Sequence, residues 1–306
     1  NSGQSCAIFG TTNRNNTGSA CLIAGDSNIG NSGSYNIIGG DSNSSSSGDN
    51  CIISGKTNSS NSGDYTSISG RYNLGNTGPY CSISGYYNKN NSGSYTLISG
   101  GSNANNASSY SIIGGKDNDY INTLADYSII GGELNSKTGA NSSDGSHCLI
   151  TGKNNYNNSG NYCSISGYDN TSNTGNYCLI SGGGFFAGNS SNSGTHCSIS
   201  GSGNYSNSGN YCNISGISNY SNSGYECLIA GGSNYENTGN RCLIVGAYHD
   251  NNDGHCTSIV GKQNQSNSGN YCSISGFYAA NNSLDYARVH GGDSNARIID
   301  LVAKCS

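Results

Sequence analysis

The chain is expected to be all-β, a parallel β-solenoid (β-roll or β-helix) of about 19–20 coils. Three features lead to this reading. One Ile returns in phase at 8, 23, 38, 53, 68, 83, 98, 113, 130, 150, 165, 180, 199, 214, 229, 244, 259 and 274, with Val289 in the nineteenth place. A Gly follows two residues later in every unit, from Gly10 to Gly291. Composition narrows the choice: 48 Gly, 50 Asn and 57 Ser make up half of the 306 residues, with one Pro and no Met or Trp. A period held this long argues against disordered low complexity. Fifteen Gly-rich residues are too short for a helix pair and too weak in propensity for any helix. They suit one coil, with successive coils pairing in parallel about 4.8 Å apart.

Numbering the unit Tyr80–Ser94 from 1 to 15 gives each position a part. Positions 1 to 5 carry strand chemistry: Tyr, Cys or Thr, and Ile. The position-4 Ile (Ile8, Ile23, Ile83, Ile165, Ile214) and the position-2 Cys (Cys81, Cys163, Cys212) alternate onto one face and are assigned to the core. Twelve of the 14 Cys stand at position 2, where Thr, Ser, Asn or Ala otherwise stands. That interchange suits a column of small hydrophobes, mostly free thiols. Parallel Cβ vectors disfavour bridges between coils, the first alternative, and no Cys or His spacing supports a metal, the second. Position 9 is Asn in 15 of 19 units, among them Asn13, Asn28, Asn88 and Asn204, and positions 12 to 14 usually read Asn-Ser/Thr-Gly. Asn and Gly tolerate left-handed backbone, so both are assigned to corners, with the Asn amides stacked as ladders.

The other strand face has Tyr at position 1 in 11 units and an aliphatic residue at position 3 in about half, such as Ile37, Ile52, Leu97, Ile112 and Ile129. A thin coil buries one face only. The other is expected to form an exposed stripe of the kind that marks contacts. A wider coil, with both faces partly internal, is the alternative.

The repeat spans 1–291, with insertions near 119–126, 136–146 and 183–195 expected as loops from one corner. The third holds Phe185 and Phe186, two of the four Phe. They are read as a contact loop or, in preference, as packing on a neighbouring coil. The chain opens mid-unit at Asn1-Ser2-Gly3, which reads as an interior or processed piece. Residues 292–306 leave the repeat. Ile298, Leu301, Val302 and Cys305 have helical spacing, so this stretch is expected to cap the solenoid or begin a stalk.

Little points to chemistry. A net charge of -5 with 9% charged residues excludes a polybasic nucleic-acid binder. No run of 18 apolar residues exists, so no membrane span is expected. His147 and His196 replace Tyr at position 1, beside a Cys that faces the other way, so neither forms a nucleophile pair. Carboxylates are scattered, and the Gly runs lack the Lys and helix of a phosphate loop. No catalytic, cofactor or metal site is expected. Asn-x-Ser/Thr sequons such as that at Asn15 arise by chance in this composition.

The unit Tyr-Cys/Ser-x-Ile-x-Gly-x-x-Asn-x-x-Asn-Ser/Thr-Gly resembles the head repeats of YadA-like trimeric autotransporter adhesins. The resemblance is closest at Tyr110–Asn118 and Tyr35–Asn43 and covers about residues 1–291. It implies a left-handed β-roll, three chains around an axis and a following coiled-coil stalk. Unlike those heads, this chain carries a Cys column, and its tail has no clear neck sequence.

The expected function is a non-enzymatic extracellular fibre or cell-surface adhesin segment, a rigid elongated repeat rod. It would self-associate as a homotrimer or filament and meet a host or matrix surface ligand. The alternatives are a self-assembling structural filament, then an ice-binding protein, although no Thr-x-Thr row runs through the chain, and last an enzyme.

Overall fold

The computed structural model describes residues 1–119, 121, 126–135, 146–184 and 188–291, and the backbone of 297–301. The chain divides into two compact units, Asn1–Asn154 and Asn155–Ser306. Each is a parallel β-solenoid. Among the described residues, the first unit has ten strands, from β1 (Ala7–Thr11) to β10 (Leu149–Ile150). The second has nine parallel strands, from β11 (Ser164–Gly167) to β19 (Ala287–Gly291). Neighbouring strands pair in the register set by the Ile phase, as in Ile8↔Ile23 and Ile244↔Ile259. No helix occurs among the described residues.

The strand starts later than the pattern suggests. It begins at position 3, as in Ser82–Ile83 and Leu97–Ile98, and position 1 is a corner. Tyr80, Tyr95 and Tyr110 have φ between 55° and 57°. Positions 8 and 11 are left-handed too, for example Tyr87 (φ 63°) and Asn90 (φ 53°). The recurring Asn at positions 9 and 12 therefore does not make the left-handed corners; the residue before it does. A left-handed residue with a Cβ costs about 1–2 kcal/mol. Each of these three corners has its N–H held by the preceding coil: Tyr80 to Asp64 O (2.9 Å), Tyr87 to Arg71 O (2.9 Å) and Asn90 to Leu74 O (2.9 Å). These bonds offset the strain and repeat in every regular coil.

Inside the coil lie the position-4 Ile column, the position-2 column and two Asn columns. Ile23, Ile83, Ile165 and Ile214 are buried, Ile113 fully so, and Ile8 is partly buried against Cys21 and Ile23. Cys81, Cys163 and Cys212 are buried with them. Two glycines per coil leave room for the next coil. A Cβ on Gly216, already at φ 114°, would stand 1.8 Å from Gly231 O. A Cβ on Gly224, at position 14, would stand 2.1 Å from Gly239 O. Only Gly admits so close an approach.

The insertions fall between regular positions. Ile121 and Asn135 still take the register of positions 12 and 9, bonding Asn106 Oδ1 and Asn118 Oδ1 through their N–H groups at 3.1 and 3.0 Å. After the third insertion Asn189 resumes position 9, donating its N–H to Asn170 Oδ1. Phe185 and Phe186, the contact-loop residues of the sequence reading, lie outside the described residues, as do most of 119–126 and nearly all of 136–146. The helical spacing around Ile298 and Leu301 is not realised. Arg297–Leu301 (β20) is a strand, antiparallel to β19, from Gly291↔Arg297 to Ala287↔Leu301. In a five-residue segment beside an open strand edge, ladder hydrogen bonds outweigh a weak helical pattern.

Candidate functional site

The inner columns spend their polar groups on bonds between coils. Asn88 is fully buried. Its Nδ2 donates to Ser84 O of its own coil (2.7 Å) and Gly100 O of the next (3.3 Å), while its Oδ1 accepts Asn103 N–H at 3.1 Å. Asn204 does the same with Ser200 O, Gly216 O and Asn219 N–H. Asn28 is equally buried; Asn13, in the first coil, is only half-buried. The position-12 Asn forms a second buried column, for example Asn91 Nδ2 to Asn76 Oδ1 at 2.8 Å. Its placement inside was missed, although Asn at position 12 is almost as regular as at position 9.

The position-2 residues also act through a donor. Cys81 Sγ donates to Gly93 O at 3.1 Å, and Thr66 Oγ1, Thr96 Oγ1 and Asn36 Nδ2 donate to the equivalent carbonyls of Gly78, Ser108 and Gly48. Cys, Thr and Asn interchange here because each brings a donor of the right reach. Burial pushes the Cys81 thiol above its ordinary value, so it stays protonated and donating. The described Cys are free thiols, and no group of three His, Cys, Asp or Glu able to hold a metal occurs among the described residues.

One column departs instructively. His249 stands fully buried at position 9. Its Nδ1 accepts Asn264 N–H (3.3 Å), and its Nε2 faces Val245 O (3.1 Å). The ring thus reproduces both halves of an Asn amide: Nδ1 for Oδ1, and Nε2–H for Nδ2–H. Burial holds its pKa below the ordinary value.

Outside, the left-handed corner points the position-1 side chain into solvent, and successive coils bring the rings face to face. In the first unit Tyr65, Tyr80, Tyr95, Tyr110 and Tyr127 stack at 4.7–4.9 Å and within 4° of parallel, and His147 continues the row at 5.0 Å. Beside them run the position-3 side chains: Ile37 (49% exposed), Ile52, Leu97, Ile112 (44%), Ile129 and Leu149. Both rows are exposed, so the coil is the thin one, with a single buried face. In the second unit Tyr162, Tyr177, His196 and Tyr211 stack in the same way. Glu226, Arg241 and Cys256 then break the row before Tyr271 and Tyr286 resume it. A further row, Tyr205, Tyr220 and Tyr235, ends where Tyr235 Oη donates to Asp250 Oδ2 at 2.6 Å, which pushes the phenol up to about 12.

His147 and His196 are therefore rungs of an aromatic row, while Cys148 and Cys197 are buried. Neither a protein family nor a curated protein matches the chain.

Proposed function

We propose that the chain is a non-enzymatic segment of an extracellular fibre or surface adhesin, and that it self-associates through the first unit. The observation that supports this is the paired row of exposed Tyr and aliphatic side chains there, repeated at the coil spacing. Burying an aliphatic side chain that is about half exposed contributes roughly 1 kcal/mol. The six position-3 side chains named in the first unit, with their stacked Tyr neighbours, make a surface costly to leave in water. A second copy of the same chain is the partner the period favours, because its rows share the 15-residue repeat and the same rise per coil. The resemblance to trimeric adhesin heads gives the number, three chains around an axis.

The inner columns support the non-enzymatic part of the reading. Their polar groups are engaged in holding coil to coil, as Cys81 Sγ does with Gly93 O. The test is the double variant Ile112→Asp, Ile129→Asp, whose side chains point outward. The expected result is a folded single chain by mass and circular dichroism, beside an oligomeric wild type. A wild type that already runs as a single chain refutes the self-association.

A further inference from the structure

The broken stretch of the second unit's outer row borders an open pocket. Its volume is about 280 Å³, and it is lined by Tyr225, Asn240, Arg241, His255, Cys256 and Tyr271. Small-molecule pockets run from roughly 300 to 1,000 Å³, so this one suits a single ring.

Its walls follow from the break in the row. Tyr271 stacks on Tyr286 at 5.0 Å, which occupies one face of its ring. On the other side the next rung is Cys256, whose side chain is too short to reach across. One face of Tyr271 is left uncovered where every regular rung would meet another ring. Tyr225, at position 15, meets Tyr211 edge-on at 5.4 Å and gives a second aromatic wall.

The polar groups are held in place by the coil. Arg241 Nε donates to Glu226 Oε2 at 2.9 Å, a bond that does not use its Nη hydrogens. His255 Nδ1 accepts Asn240 N–H at 3.0 Å, so the neutral ring carries its proton on Nε2. Asn240 Oδ1 accepts Tyr225 N–H at 2.8 Å, which leaves the Nδ2 hydrogens as donors. An aromatic face with N–H donors among its neighbouring lining residues is the chemistry that holds a pyranose. The ring carbons lie on the Tyr face, and the hydroxyl oxygens accept from Arg, His and Asn. Glu226 balances the charge of Arg241, which disfavours an anion. Donors carrying hydrogens rather than free lone pairs disfavour a metal ion.

The geometry points to a binding site for one neutral sugar residue in the missing rung beside Tyr271. The site lies within the second unit and does not rest on self-association through the first.

The test is saturation-transfer NMR and calorimetry on the full chain. The probes are the methyl glycosides of glucose, galactose, mannose and N-acetylglucosamine, with glucuronate as the charged control. At least one neutral glycoside is expected to bind, with transfer strongest at its ring protons. Tyr271→Ala and Arg241→Gln should each weaken binding at least tenfold, while circular dichroism and particle mass stay unchanged. Arg241→Lys, which keeps the charge but loses the planar fork, should weaken it nearly as much. No transfer from any glycoside at millimolar concentration overturns the proposal. So does binding that survives both Tyr271→Ala and Arg241→Gln, or binding confined to glucuronate.

Discussion

The position-1 row behaves differently in the two units. In the first it runs from Tyr65 to His147 as one unbroken stack beside an aliphatic row. In the second it stacks from Tyr162 to Tyr211, then gives way to Glu226, Arg241 and Cys256 before Tyr271. The buried columns change less often, although Ala279 takes position 9 and Ile121 position 12 in single coils. Where position 9 changes to His249, two of the three hydrogen bonds that Asn88 makes there are kept by other atoms. A polar side chain inside the coil is held by its bonds, because each closes a carbonyl or N–H that water cannot reach. A rung outside can be lost with little strain.

The largest effects should come from inside. Gly216→Ala puts a Cβ 1.8 Å from Gly231 O, so the two coils must part. It should cost more than about 3 kcal/mol, at the upper end of overpacking changes, read as a fall in the urea midpoint. Ile113→Ala, at a fully buried site, should cost about 2–5 kcal/mol by the same readout. Asn88→Ala leaves Asn103 N–H and Ser84 O without their partner and takes one of two donors from Gly100 O, and about 2–4 kcal/mol should be lost. A loss under about 1 kcal/mol would mean that the Asn column is not what joins the coils.

His249 adds a smaller, pH-dependent term. Its folded pKa lies below the ordinary 6.5, so the unfolded chain takes up the proton first. The second unit's stability should be full above pH 6.5 and fall as the pH drops below it toward the folded value. Urea midpoints at pH 7.5 and pH 5 read the change, and His249→Asn should remove this part of it. The smallest effects belong outside. Tyr95→Ala should change stability by about 1 kcal/mol or less, since its ring contacts are exposed. Lys56→Ala breaks an exposed pair with Asp41 and should cost under about 0.5 kcal/mol.

Much of this was legible in the residues. The Ile phase gave the coil length, the strand register and the parallel stacking, because a constant period leaves one way to align successive coils. The exposed aliphatic row followed from the alternation of faces, whereas the Tyr row owes its exposure to the left-handed corner. The corners were less accessible. Left-handed Tyr80 or Ser42 runs against intrinsic preference and is held by bonds from the preceding coil, which no single unit reveals. The position-2 Cys were read as small hydrophobes. Their exchange with Thr and Asn was the available sign that they donate hydrogen bonds. The pocket beside Tyr271 depends on what three successive coils lack, so it emerges only once the row has been assembled.

The most direct measurement is the mass of the native particle by light scattering across a dilution series. The account predicts a constant mass of three chains, lost in the Ile112→Asp, Ile129→Asp variant. A single-chain mass at every concentration would contradict it, and a mass that grows with concentration would replace the closed trimer with an open filament.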